Sequence, residues 1–205
     1  MNKTGTMKQR VKNAVRYLCH LIVLPSGIMV NFEKQMSRSP ETWFGFFAQF
    51  WALVPGLPGN YLRAAFYRQV LDFCDESCVI SFGAICTHRQ VRIEKQVYIG
   101  PYSLIGSAWI KAGTLIGSRV SVTSGKNQHT LDDTGQWAGF DPGNMVQVRI
   151  GPRAWIGEGA VVMADVGETS MVGAGAVVAA PVPDHVMGAG NPFQVRRRIH
   201  EKVDP

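Results

Sequence analysis

The chain has 205 residues, 46% of them hydrophobic and 18% charged, with 22 glycines. That is enough apolar mass for one sizeable core, and it excludes a disordered chain, a collagen and a small disulfide scaffold. The formal charge of +6 is concentrated, because residues 1–39 hold seven Lys/Arg and one Glu while the remainder holds fourteen of each sign. A basic arm on a neutral body predicts contact with an anionic surface at one end only. An anionic membrane surface fits, and no RNA or DNA motif accompanies the charge, so nucleic acid is not expected.

In chain order, basic residues 8–16 precede an apolar run from Tyr17 to Phe32. No A-x-A-like site follows, so a cleaved leader is not expected. The run is sixteen residues long and is interrupted by His20, Pro25, Ser26, Gly27 and Asn31. A spanning helix needs about twenty predominantly apolar residues, and this run falls short. A second uncharged run, Thr42 to Leu62, contains Pro55-Gly56-Leu57-Pro58-Gly59, which ends a helix near Val54 and leaves about twelve helical residues. Within it Trp43, Phe46, Phe47, Phe50, Trp51 and Val54 recur at helical spacing on one stripe. Such a stripe either packs in the core or lies in a membrane interface, where aromatics are favoured. Residues 1–75 are therefore expected to form a helical, amphipathic region, and the protein to be cytoplasmic and peripheral on the inner face of the cell membrane. Cys19, Cys74, Cys78 and Cys86 form no C-x-x-C pair and read as reduced thiols.

A six-residue ruler fits the second half. Val79, Ile85, Val91 and Val97 fall in step, Ile93, Ile99 and Ile105 form a second series, and after a one-residue slip the period resumes at Ile110, Ile116 and Val122. It breaks across residues 127–149, returns at Ile150, Ile156 and Val162, and closes with Val172 and Val178. Glycine follows the aliphatic in Ile99-Gly100, Ile105-Gly106, Ile116-Gly117, Ile150-Gly151 and Ile156-Gly157, as a tight corner without room for a Cβ requires. A strand alternates every two residues and a helix every 3.6, so a sustained six predicts a parallel β-helix whose stacked coils share one inward column.

With these motifs the sequence resembles the hexapeptide-repeat acyltransferases, whose aliphatic-Gly-x-x-small-x signature winds as a left-handed parallel β-helix. The likeness covers residues 76–198, including Trp155-Ile156-Gly157, Val172-Gly173-Ala174-Gly175-Ala176-Val177-Val178 and Gly188-Ala189-Gly190-Asn191-Pro192. Residues 44–78 resemble the leader of a subgroup associated with bacterial exopolysaccharide and capsule synthesis. The expected protein is thus mainly β, a left-handed parallel β-helix over residues 76–198 with an active-site loop at 127–149 and a tail at 199–205. The resemblance implies an acyl-CoA donor, usually acetyl-CoA, a hydroxyl or amine acceptor, and active sites between the subunits of a homotrimer; the acceptor expected here is a sugar or lipid-linked glycan, and no metal is expected.

By its place at the break, His129 in Ser124-Gly125-Lys126-Asn127-Gln128-His129 corresponds to the histidine such enzymes use as general base. A sugar hydroxyl is a poor nucleophile at neutral pH, and an imidazole with an ordinary pKa of about 6.5 is largely neutral there and takes its proton. Backbone N–H groups near Ser124 and Gly125 are the candidates for oxyanion stabilisation. Asp132 or Asp133 either orients the ring or belongs to a solvated pair. Donor binding falls to Trp155, which either covers the thioester arm or packs beneath the loop, to Gly173, Ala174 and Gly175, where small residues admit the pantetheine arm, and to Arg196 and Arg197, which either reach the nucleotide phosphates or form a solvated basic tail. The arginines matter because Ala179-Ala180 stands where the family carries Thr-Lys, and Pro192-Phe193-Gln194 where it carries Pro-Ala-Lys.

An N-acetyltransferase acting on an amino sugar and a noncatalytic β-helix scaffold are the alternative readings. A zinc site like that of the γ-class carbonic anhydrases needs three imidazoles, and only His88 and His129 lie in the repeat body before the donor coils. His88 beside Arg89 reads as a coil-surface residue.

Overall fold

The computed structural model describes residues 3–36, 41–125, 131, 134–137, 139 and 142–199. From Phe73 onward the sides of the repeat become short strands, and the coils stack them into three sheets. Face one stacks Phe73–Cys74, Val91–Ile93, Ala108–Ile110 and Val148–Ile150, continued by bridges at Val166 and Val182. Face two stacks Val79–Ile80, Tyr98–Ile99, Leu115–Ile116, Trp155–Ile156, Met171–Val172 and Val186–Ala189, with Gln194–Arg198 added antiparallel. Face three stacks Ile85–Cys86, Leu104–Ile105, Ser121–Val122, Val161–Val162 and Val177–Val178. Within these three sheets all other pairings are parallel, giving the β-helix that the six-residue period predicts.

One residue of each two-residue strand enters a common buried column: Ile80, Ile99, Ile116, Ile156 and Val172 from face two, and Cys86, Ile105, Val122, Val162 and Val178 from face three. In the first coil this column is one place out of step with the ruler, since Val79 and Ile85 are the more exposed members and Ile80 and Cys86 fill the interior. Periodicity alone cannot choose between neighbours in Val79-Ile80. The small residue after the inward position, Ser81 in this coil and Gly100 in the next, makes the choice.

The glycines after the inward aliphatics are required because there is no room for a Cβ, as expected, and it is the next coil that takes the room. Gly100, Gly117, Gly151 and Gly157 are not left-handed; a Cβ on Gly157 would stand 2.5 Å from Ala174 N, and one on Gly100 2.5 Å from the Gly117 carbonyl carbon. The backbone of the next coil occupies the space. Left-handed φ values fall instead deeper in the corners, at Gly83, Gly113, Gly159 and Gly175 but also at Gln96, Tyr102, Arg119, Arg153, Thr169 and His185.

Around two edges of the prism the strands keep a strict spacing of six, as from Val79 to Ile85 and from Tyr98 to Leu104. All irregularity falls at the third edge, where face three returns to face one. Equivalent positions there run from Ile85 to Arg92, from Leu104 to Trp109 and from Ser121 to Arg149. The one-residue slip and the long break are thus events on one edge. Pairing resumes at Val148, opposite Ala108, two residues before the aliphatic that marks it in the sequence.

Helices close the lower end of the first coil. They are α1 (Lys3–Met36), α2 (Thr42–Ala52) and α3 (Gly56–Val70). α3 lies against the first strands of faces one and two and α2 against the first of face three, whereas α1 packs on α3 and α2. In the second coil the Ile99 carbonyl accepts from the Ser81 N–H below it. The equivalent carbonyl of the first coil, Ile80, has no coil below and accepts from Arg63 Nε at 2.8 Å. Arg63 is fully buried and also donates to the Trp51 and Val54 carbonyls and to Asn60 Oδ1. The Cys86 N–H donates to Tyr67 Oη at 2.9 Å. Side chains of α3 thereby satisfy backbone groups that another coil would otherwise meet.

Two expectations change in this layer. The apolar run belongs to a single helix of 34 residues with Pro25 inside it, and an 18-residue stretch within Gln9–Met36 has a mean hydropathy of 1.4, long and apolar enough to cross a membrane. Length therefore does not exclude spanning as the sixteen-residue run suggested. The aromatic stripe of α2 divides: Trp51 is buried with Nε1 donating to Ser26 Oγ at 3.1 Å, and Phe47 packs near Phe66, while Trp43, Phe46 and Phe50 are exposed. The core reading holds for half of it, and the other half is exposed. All four cysteines are free and buried.

Candidate active site

The long break is rooted on the edge between faces three and one. Thr123 Oγ1 donates to the Gly125 carbonyl (2.8 Å), and the buried Ser124 Oγ accepts from the Ser107 N–H of the coil below (2.8 Å). Gly125 has φ +88, and a Cβ there would meet Val146 Cβ at 2.9 Å, so glycine is needed where the departing and returning chain pass. The return is pinned by the Val146 N–H on the Ser124 carbonyl (3.0 Å) and by Gln147 Nε2 on the Gln90 carbonyl (3.4 Å). The excursion is anchored to all three lower coils. His129 lies outside the described residues, as do Asp132 and Asp133. Of the rest, Leu131 bridges Trp137 antiparallel, Pro142–Asn144 form a 3-10 turn, and Trp137 is 73% exposed. Trp137 carries no spacing signal; its one sequence mark is an indole within a polar, glycine-containing stretch.

The donor residues expected from the sequence converge on the upper coils. Trp155, Met171, Met187 and Arg197 form one row across face two, with steps of about 4.8 Å. Trp155 is 50% exposed, and Arg197 Nε reaches Met187 Sδ at 3.4 Å. The register shift between Met187 and Gly188 leaves Arg196 as an extra, unpaired residue beside the row. Gly173, Ala174 and Gly175 turn the corner from face two to face three. The Gly173 N–H donates to the Gly188 carbonyl (2.8 Å), and a Cβ on it would stand 2.7 Å from that of Ala189, whereas Gly175, at φ +66, borders open space. Inter-coil packing therefore fixes Gly173, and Ala174-Gly175 is left as an exposed corner of small residues. Trp155 stands on the face opposite the edge from which the loop departs, so within one chain the donor row and the loop root are brought to different sides of the prism.

No family model and no curated protein sequence matches the chain. Among solved structures it is similar to a maltose O-acetyltransferase from Clostridium difficile 630, with 17% identity over 77% of this chain and 87% of that one and a TM-score of 0.62. It is similar also to galactoside acetyltransferase in complex with coenzyme A, with 19% identity over 77% and 80% of the two chains and a TM-score of 0.56. A hexapeptide-repeat-containing acetyltransferase from Vibrio cholerae gives 20% identity over 80% and 95% and a TM-score of 0.53. The fold is that of the hexapeptide-repeat acyltransferases. At these identities the likeness is one of fold, and it carries the left-handed coil expected of that repeat.

On this hexapeptide-repeat frame sits a polar cluster that the sequence did not disclose, lower on the edge that bears the loop. His88 Nδ1 and Glu41 Oε2 are 2.9 Å apart, and Glu41 Oε1 accepts from the Arg89 N–H at 3.2 Å. The buried Arg89 guanidinium pairs with Glu33, whose carboxylate also accepts from the Trp43 N–H (2.8 Å) and the Phe44 N–H (3.4 Å), two of the free donors in the first turn of α2. His88 is therefore held by a carboxylate rather than left as a simple surface residue. Glu41 lies outside the repeat, so no period links the two. A second imidazole–carboxylate contact, His185 Nε2 to Glu168 Oε1 at 3.2 Å, occupies a corner of the upper coils. Among the described residues no group of three or more His, Cys, Asp or Glu is arranged to hold a metal ion.

Proposed function

We propose that the protein is an acetyl-CoA-dependent O-acetyltransferase acting on a sugar or lipid-linked glycan precursor in surface polysaccharide synthesis, with His129 as its general base. The observation that carries the reading is the one long excursion from a regular solenoid, rooted on Ser124 and Gly125 and bearing His129. The imidazole takes the proton of the acceptor hydroxyl as its oxygen attacks the thioester carbonyl. When the tetrahedral intermediate collapses, the C–S bond breaks and the imidazolium returns the proton to the coenzyme A thiolate. The row from Trp155 to Arg197 and the open Ala174-Gly175 corner support a donor lying along the upper coils, with Arg196 and Arg197 directed to its phosphates. The exposed Trp137 indole suits stacking on the apolar face of a sugar ring.

The homotrimer is proposed on a second feature. Val79, Tyr98, Leu115 and Trp155 run up the outside of face two, each at least 37% exposed, and a neighbouring subunit would cover such a column. A loop on one side of the prism and a donor row on another would then meet across two subunits. The test is thiol release from acetyl-CoA with a panel of nucleotide-linked and lipid-linked sugars, run on protein whose mass is measured by light scattering. Transfer to a hydroxyl acceptor by a trimer is expected. Transfer to amino sugars alone makes the protein an N-acetyltransferase, and a trimer that releases no thiol with any acceptor is a scaffold.

A further inference from the structure

The helical layer is inside out. Between Tyr17 and Phe32 every exposed residue of α1 is apolar or aromatic, Leu18, Ile22, Ile28 and Phe32 among them. The polar and small residues face the protein instead. Ser26 Oγ accepts from Trp51 Nε1, Gln69 Nε2 donates to the His20 carbonyl (3.2 Å), Asn31 Nδ2 donates to the Gln69 carbonyl (3.1 Å), and a Cβ on Gly27 would collide with Gln69. A water-facing helix shows the reverse arrangement. Polar and small groups turned inward with apolar groups outward is the pattern of a helix that faces lipid. α2 continues the surface with Trp43, Phe46 and Phe50, and Leu53 just after it is exposed as well.

Charge points to the same occupant. The only carboxylates of residues 1–71 are Glu33 and Glu41, and both are drawn inward onto Arg89 and the start of α2, with side chains 10% and 17% exposed. Arg63 apart, the basic groups lie toward the surface: Arg10, Lys12, Lys34 and Arg68 are exposed, and a groove of about 130 Å³ between α1 and α3 is rimmed by Lys12, Arg16 and Arg68 with Glu76 as its one acid. The orientation follows from two ties. Arg16 pairs with Glu76 (3.4 Å) and Lys34 with Asp72 (3.8 Å), so both ends of the apolar stretch are fastened to the start of the first coil. A spanning helix would hold its ends in opposite aqueous phases, about 30 Å apart.

We propose that this face docks the protein on an anionic lipid bilayer, with α1 lying in the plane of the interface, its apolar side chains among the upper acyl segments and its basic groups at the lipid phosphates. The docking is independent of the acetyl-transfer reading, and thiol release with a soluble acceptor reports on that reading separately.

The experiment is flotation of the full chain with phosphatidylglycerol-containing vesicles and with phosphatidylcholine vesicles, at low and high salt. The wild type is expected to float with the anionic vesicles and to be weakened but not released by salt. Arg10→Gln with Lys12→Gln should weaken binding by roughly thirtyfold and reduce its salt dependence. Ile22→Ser with Phe46→Ser and Phe50→Ser should abolish the salt-resistant part. All five side chains are exposed, and an unchanged far-UV circular dichroism spectrum confirms folding; the charge pair gives an independent reading. Wild type remaining in solution, or both variants floating like wild type, overturns the proposal. So does a fall in solution mass in the Ser variant without any vesicle binding, which would make the face a contact between copies of this chain.

Discussion

Arg63 shows what one side chain does for a solenoid that has to end. Its guanidinium is fully buried with carbonyls and an amide oxygen as acceptors, and burial draws its pKa down without discharging it. Arg63→Met would leave the Ile80, Trp51 and Val54 carbonyls without that donor, at an expected cost of about 3–5 kcal/mol. Arg63→Lys should recover little, since an ammonium cannot fork between the first coil and the end of α2. Urea unfolding measures both, and a loss below about 1 kcal/mol for Met would contradict the role. Beside it, burial pushes the Cys86 thiol up to about 12 from an ordinary 9.0 and raises the Tyr67 phenol as well. A raised acid pKa gives stability that is complete below the unfolded value and is lost as pH rises through the folded one. Stability should therefore fall between pH 9 and 12, and Cys86→Val should flatten that fall; thermal melts across the window check it, and identical slopes would refute it. None of this is readable from periodicity, because the partners of Arg63 and Tyr67 are backbone groups brought to them only by stacking.

The short strands and corners were legible as elements because a single spacing, six, governs two of the three edges. The phase of the first coil was not, since Val79-Ile80 offers two aliphatics for one inward place. The corner conformations were also hidden, because left-handed residues include non-glycines that the fold holds there. Thr169 is the clearest case: a β-branched residue at φ 53 whose Oγ1 is buried without a partner. Thr169→Gly should stabilise by about 1 kcal/mol, the left-handed penalty less the entropy of glycine, and raise Tm by about 2–4 °C. Gly159→Ala, at φ +68 with open space around it, should lower Tm by a similar amount through conformation alone. Scanning calorimetry decides, and a lower Tm for Thr169→Gly would show that the hydroxyl or methyl makes a contact worth more than the strain.

At the scale of the whole molecule, a basic and apolar helical layer, a solenoid and one excursion divide the work. The break at residues 127–149 was visible because regularity makes its loss visible, and the grouping of Trp155 with Arg197 was foreshadowed by their place in the last coils. The edge on which the break lies, and its grip on Gln90 two coils below, needed three dimensions. The central claim is that this excursion carries the base of an acetyl transfer. Its most direct test is the turnover of His129→Asn, followed as coenzyme A thiol release from acetyl-CoA with the best acceptor, beside wild type. Turnover is expected to fall by about two to four powers of ten, with solution mass, Tm and the KM for acetyl-CoA unchanged, because an amide holds the hydroxyl but cannot take its proton. Turnover equal to wild type would contradict the account and move the proton transfer elsewhere, to the His88–Glu41 pair first.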